Sequence, residues 1–205
     1  MLSGLCVCAL IPSPRLATRT RVVLFIHRYE DRKPTNTGRL ALECLENSQI
    51  FVRGHEASPS PPFEAEPGSA PLFLFPHPGA TPLADYAQST QPVTLIVPDG
   101  SWRQASKVRN RVPGLRNVPC VWLPKDTRSV YRLRHEAHET GLATIEAIAR
   151  AMDILEGVHV RGVLERVFLA MVERTLWSRG QLNTEEVRFG VPEGVLRHNP
   201  RLGRE

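Results

Sequence analysis

Asp99-Gly100-Ser101-Trp102 follows an apolar run, VTLIV at 93–97, and Pro98. An aspartate at the end of such a run can accept protons or hydrogen bonds. Gly100 lets a ligand come close to the backbone, and Trp102 can stack on adenine or a nucleobase. The same residues have plain structural uses, Asp99 as a local cap and Trp102 as a core residue. A second stretch, Asn36-Thr37-Gly38-Arg39, stands before a helical pattern. Asn and Thr cap helices, and a helix start with an arginine on its first turn also attracts anions. A third, Tyr131-Arg132-Leu133-Arg134, places two guanidinium groups two residues apart. Arginines clasp carboxylates and phosphates by paired hydrogen bonds, and equally serve solubility on a long surface loop. His27-x-x-Glu30 lacks a third metal ligand. Cys6 and Cys8 sit too close to bridge easily and lack the second cysteine or histidine pair a zinc site needs, so no metal is expected.

Charge adds a fourth signal. Residues 99–134 hold nine basic side chains, among them Arg103, Lys107, Arg109, Arg111, Arg116, Lys125 and Arg128, against Asp99 and Asp126. That net of +7 exceeds the +5 of the whole chain. A polyanion such as RNA is the natural partner of such a segment, and a solvated basic face is the alternative.

These stretches need elements to hold them. Runs at 21–26, 49–52, 71–75, 93–97 and 118–124 read as strands, and 71–75 and 93–97 show no alternation, as strands of a covered parallel sheet do. Residues 38–46 have helical spacing. Ser101 to Gln104 fits a capping box opening a helix that runs to about 107–110. Leu142, Ile145, Ile148, Ala149, Met152 and Leu155 form one helical stripe. A second helix covers 160–178, and the proline-rich 54–71 reads as a loop. Alternating strands and helices predict an α/β domain with a mainly parallel sheet and flanking helices over residues 1–180, followed by an irregular tail at 181–205. Ligands of such sheets sit at the carboxyl ends of the strands, where the polar loops after Ile26, Val97 and Leu123 fall.

At 205 residues, with 41% hydrophobic and 23% charged side chains, the chain can bury a normal core and is not a disordered tail. No apolar run approaches the ~18 residues of a membrane span. The short apolar N-terminus has no basic residue before it, which argues against a signal peptide. Cys44 and Cys120 sit in apolar stretches, a disulfide framework is a poor reading, and a reducing cytoplasm is the expected compartment.

The motifs TRTRVVLFIHRYE, TNTGRLALECLENSQIFVRG, VPDGSWRQASKV, CVWLP, YRLR and LATIEAIA together resemble the DTW-domain family, over about residues 6–156. The naming motif Asp-Thr-Trp stands here as Asp99-Gly100-Ser101-Trp102, serine keeping the hydroxyl of threonine. Members are tRNA-uridine aminocarboxypropyltransferases, which implies S-adenosylmethionine as co-substrate and tRNA as partner. Many members carry a CxxC ahead of the pair matching Cys6 and Cys8, and none stands ahead of it in this sequence. The family is similar to an rRNA aminocarboxypropyltransferase family of SPOUT-like fold, which implies a C-terminal trefoil knot. On that likeness the loops 98–102, 123–134 and 140–144 form the cofactor pocket. Pro98, Gly100, Ser101, Trp102, Leu123, Tyr131, Arg132, Leu133 and Thr144 would bind S-adenosylmethionine, and Asp99 would act on the uridine. Asn36, Thr37, Arg39, Arg103, Arg109, Arg111 and Arg134 would face the tRNA. A SPOUT-type RNA methyltransferase and a non-catalytic RNA-binding module remain as other readings. Oligomeric state is not read from the sequence.

Overall fold

The computed structural model describes residues 3–55, 60–124, 129–131, 133 and 141–202. Six strands form one sheet: β1 Arg21–His27, β2 Ser48–Arg53, β3 Ala70–Leu74, β4 Thr81–Pro82, β5 Val93–Asp99 and β6 Cys120–Trp122. Their order is β2-β1-β5-β3-β6-β4, and every pairing is parallel. The longest helices are α2 Thr37–Cys44, α5 Thr144–Glu156 and α6 Val158–Ser178. Three single turns, α1 Arg28–Asp31, α3 Trp102–Ala105 and α4 Val108–Arg111, join them.

The pleat divides the core. Val22, Leu24, Ile26, Leu95 and Val97 pack with Ala41, Ile145, Ile148, Leu164 and Phe168 on the side of α2, α5 and α6. Val23, Phe25, Phe73 and Ile96 pack with Phe63, Val108, Val112 and Leu115 on the α3–α4 side. Central strands covered on both faces must be apolar throughout, which is why VVLFI and VTLIV show no alternation. Burying a Phe or Leu side chain stabilises by roughly 1.5–3 kcal/mol relative to exposure, so β1 and β5 anchor whatever stands at their ends.

Several boundaries differ from the expectations. The helix expected from Ser101 to about residue 110 is two single turns, α3 and α4, with Ser106 and Lys107 between them and the Ser106 hydroxyl donating to the Arg103 carbonyl. The strand expected over 118–124 keeps only Cys120–Trp122, since Pro119 and Pro124 bracket it and cannot donate to a ladder. The helix expected to residue 46 stops at Cys44, where Leu45 turns extended and bridges Leu16. Against the expectation that Cys6 and Cys8 sit too close to bridge easily, the two are paired as a disulfide, their Cα atoms 5.5 Å apart. Residues 181–202 have only short turns, yet Leu182, Val187 and Val195 are buried in the larger core. Arg174 fastens them, donating from Nη1 to the Cys6 carbonyl at 2.6 Å and from Nε to the Gly190 carbonyl at 2.9 Å.

Candidate active site and its basic flank

Asp99 closes β5 beside Ile26 of β1 and points to the α2–α5 side of the sheet, in step with Leu95 and Val97. It is only 6% exposed. Its two oxygens hold two distant segments. Asn36 Nδ2 donates to Oδ2 at 2.7 Å, and Thr144 Oγ1 donates to Oδ1 at 2.6 Å. Asn36 is also the cap of α2, its Oδ1 accepting from the Arg39 amide at 2.8 Å. One asparagine thus starts the helix and fixes the aspartate. Gly38 makes this approach possible, because a Cβ there would lie 2.8 Å from Asp99 Oδ2 and 2.9 Å from Leu24 Cδ2. Asp99 is therefore not a local cap: its partners lie 63 and 45 residues away.

The segment after β6 returns to the same place. Tyr131 is buried, its ring 5.5 Å from Phe168, and its hydroxyl donates to the Thr35 carbonyl at 3.2 Å. Glu146 on the first turn of α5 accepts from the Ser129 hydroxyl, the Val130 amide and the Ala143 amide. That buried carboxylate ties the 129–131 segment to the start of α5, where Thr144 meets Asp99. Leu123 and Leu133 are half-buried against the larger core. The loop past Asp99 turns at Gly100, whose φ of +147° favours glycine. The expected capping box forms, the Ser101 amide donating to Gln104 Oε1 at 2.9 Å and the Gln104 amide to Ser101 Oγ at 3.4 Å. Trp102 is 39% exposed, with its ring centroid 5.4 Å from that of Phe75. Pro98 is half-buried within β5, and Thr37 is buried at the first position of α2.

The arginines divide into three groups. Arg103 and Arg111 line a cleft of about 370 Å³ on the α3–α4 side, with His27, Arg53, Ser101, Gln104 and Lys107. Arg109 instead donates from Nε to the Val118 carbonyl at 3.2 Å, and Arg39 pairs with Asp31. Lys125, Arg128, Arg132 and Arg134 lie outside the described residues. Arg53 is the member that the sequence reading missed. Its signal was an arginine closing the apolar strand QIFVR, where alternation sets it on the Phe51 face. Burial, and then the Arg111 charge, lower the Arg53 pKa. Burial, and then Arg53 and Arg28, lower that of His27, against the opposing pull of Glu30. Among the described residues, no group of three or more His, Cys, Asp or Glu is placed to hold a metal ion. Among them, too, no helix is long and apolar enough to cross a membrane.

The family model for the DTW domain matches residues 1–176. The tRNA-uridine aminocarboxypropyltransferase 2 of Drosophila melanogaster is 27% identical over 200 residues, covering 95% of this chain and 77% of that protein. The protein of the same name in Macaca fascicularis is 28% identical over 161 residues, 74% of this chain and 53% of its own length. This chain spans about half of that relative. The tRNA-uridine aminocarboxypropyltransferase A of Arabidopsis thaliana is 24% identical over 209 residues, 83% of this chain and 76% of that protein.

Proposed function

The chain belongs to the DTW-domain family, and from that premise we propose that it transfers the 3-amino-3-carboxypropyl group of S-adenosylmethionine to N3 of a tRNA uridine. The observation that carries this reading is the seat of the family's own motif. Asp99 is buried where the loop after β1, the end of β5 and the start of α5 converge. The relatives named for this reaction cover most of the same residues.

S-adenosylmethionine supplies a carbon activated by a neighbouring sulfonium, with methylthioadenosine as the departing group. The residues we assign to this molecule run from the convergence to the α3 turn. The exposed ring of Trp102 beside Phe75 offers a face for adenine. The backbone of Pro98, Gly100, Ser101, Leu123 and Leu133 lines the approach, together with Tyr131 and Thr144. Arg132 or Arg134 would hold the methionine carboxylate or a tRNA phosphate. As the bond from uridine N3 to the γ-carbon forms and the carbon–sulfur bond breaks, the electron pair passes to sulfur and N3 gives up its proton. Asp99 is the acceptor we assign to that N3–H. Each of its oxygens has a lone pair beyond the one taken by Asn36 or Thr144. The protein mainly has to position the γ-carbon, rather than the methyl, against N3. Asn36, Thr37 and Arg39 form the facing wall, and Arg103, Arg109 and Arg111 present the basic side to tRNA. The reaction as written calls on no metal, and tRNA as substrate makes the cytoplasm the proposed compartment.

We read the fold as SPOUT-like, with a trefoil knot in its C-terminal half. Two features support this. β5 enters the sheet between β1 and β3, which precede it in the chain. Beyond β6, Tyr131 lies beside Thr35 and Thr144 beside Asp99 at the end of β5. An experimental trace of residues 123–144 tests the knot. The reaction is tested by mass spectrometry of tRNA nucleosides from cells with and without the gene. Loss of an aminocarboxypropyluridine supports it, and an unchanged nucleoside profile contradicts it.

A further inference from the structure

Arg53 is a buried cation to which the transfer chemistry assigns no task. It is 5% exposed, its Nη2 donates to the Gln104 carbonyl at 2.6 Å, and its Nε is buried with no hydrogen-bond partner. Among the described residues no carboxylate lies within salt-bridge distance of it, or of Arg103, Lys107 or Arg111. Removing a guanidinium from water without a counter-charge is costly. Here that cost falls in a cleft already bordered by three more cations. Burial and the neighbouring positive charges also hold His27, at the same cleft, below its ordinary pKa. Among the described residues, positive charge gathers here with no carboxylate in a salt bridge to these four cations.

We propose that this cleft seats a backbone phosphodiester of the RNA substrate, with Arg53 as its fixed floor and the half-buried Lys107 and the exposed Arg103 and Arg111 as its rim. The inference rests on the tRNA reading above and deepens it. Three observations favour RNA over the carboxylate of S-adenosylmethionine. The cleft opens on the α3–α4 side, whereas Asp99, Asn36 and Thr144 meet on the other side of the sheet, and of the described residues assigned above to S-adenosylmethionine only Ser101 lines the cleft. Four cations exceed what one carboxylate engages, and suit a phosphate with its neighbours along a strand. Tyr29, 56% exposed and 5.1 Å ring to ring from the cleft-lining His27, carries the Arg28 guanidinium 4.8 Å over its ring, which adds a further cation beside the cleft. Ser101, which lines the cleft and is tied to Gln104 beside it, follows directly on Asp99 and Gly100, so a phosphate seated there sets the register of the RNA against Asp99.

The test is equilibrium binding of unmodified tRNA to the full chain over a potassium chloride series. Arg53→Gln and the double variant Lys107→Ala/Arg111→Ala are measured beside the parent. Each variant is expected to weaken tRNA binding by about tenfold at low salt. Each should also flatten the plot of log affinity against log salt by about 0.9 for every phosphate it no longer neutralises. Affinity for S-adenosylmethionine should stay unchanged. The double variant changes outward-facing side chains, so it decides the matter even if Arg53→Gln folds poorly. Unchanged tRNA affinity and slope in the double variant would overturn the proposal. So would weakened S-adenosylmethionine binding with tRNA binding intact, or inorganic phosphate binding in the cleft without competing with tRNA. Binding is read here without turnover. A chain that binds tRNA through the cleft yet transfers nothing defeats the functional reading alone, and transfer with cleft-independent binding defeats this inference alone.

Discussion

Replacing Asp99 with asparagine removes one negative charge and keeps the side-chain shape. The carboxylate accepts from Asn36 at 2.7 Å and from Thr144 at 2.6 Å. Asparagine brings one oxygen and one NH2 group. With the NH2 toward Asn36, two donors would face each other. With the NH2 toward Thr144, the hydroxyl rotates and accepts, so the variant settles that way. Both hydrogen bonds survive in neutral form. A hydrogen bond to a charged group is worth about 1.5–3 kcal/mol and a neutral one about 0.5–1.5. The two changes together therefore cost about 2 kcal/mol. In a chain of this size each kcal/mol shifts Tm by about 2–4 °C, so Asp99→Asn should melt roughly 4–8 °C lower and still fold at room temperature. Affinity for S-adenosylmethionine, measured calorimetrically, should change little. The single-turnover rate should fall about 100-fold or more, the usual scale for losing a positioned proton acceptor. Thr144→Val serves as the control: it breaks one tie and leaves the carboxylate, so it should lower Tm with a much smaller loss of rate. If Asp99→Asn melts lower but turns over near the parent rate, Asp99 is only a tie between segments and the mechanism assigned to it is wrong.

Gly38→Ala would push a methyl group against Asp99 Oδ2 and Leu24. Overpacking of this kind costs about 1–3 kcal/mol, so the variant should melt lower and lose turnover together; a normal melt with full activity would refute the close approach. Glu146→Gln replaces an acceptor of three hydrogen bonds with a group that cannot accept them all, and it should weaken S-adenosylmethionine binding several-fold while tRNA affinity holds. Equal losses for both ligands would mean that the 129–131 segment does not line the cofactor site. The pKa of His27 is lowered by burial, Arg53, Arg28 and Arg111 against the opposing Glu30. Its neutral form is the one the fold prefers, so its contribution to stability is complete above the ordinary histidine pKa of about 6.5 and is lost as pH falls below it. Melting curves from pH 7.5 to 5.5 should show a steeper loss in the parent than in His27→Gln, and parallel curves would remove His27 as the cause.

What could be read in the sequence depended on how local its cause was. β1 and β5 show as apolar runs, and α5 and α6 as stripes, because each is dictated by its own side chains. The capping box at Ser101 was legible for the same reason, since both hydrogen bonds close within four residues. The break between α3 and α4 was not, because no residue between Ser101 and Asn110 is a proline or glycine that would mark it. Asn36, Asp99 and Thr144 were each singled out, yet nothing in their spacing shows that they touch. Only the strand order brings the ends of β1 and β5 together and returns α5 beside them. Arg53 escaped for a related reason: an arginine closing a strand is ordinarily solvated, and what buries this one is the α3 turn some 50 residues later. The nine cations of 99–134 gave the sign of the partner but not their grouping, which the backbone decides by sending Arg109 to Val118 and Arg111 to the cleft.

The central claim is the identity of the transferred group. Purified protein, unmodified tRNA and S-adenosylmethionine labelled separately in the carboxyl carbon and in the methyl carbon would test it most directly. The account predicts that the carboxyl label enters tRNA, that the methyl label leaves in methylthioadenosine, and that both amounts match the aminocarboxypropyluridine formed. Methyl label in tRNA with S-adenosylhomocysteine as the by-product would contradict it.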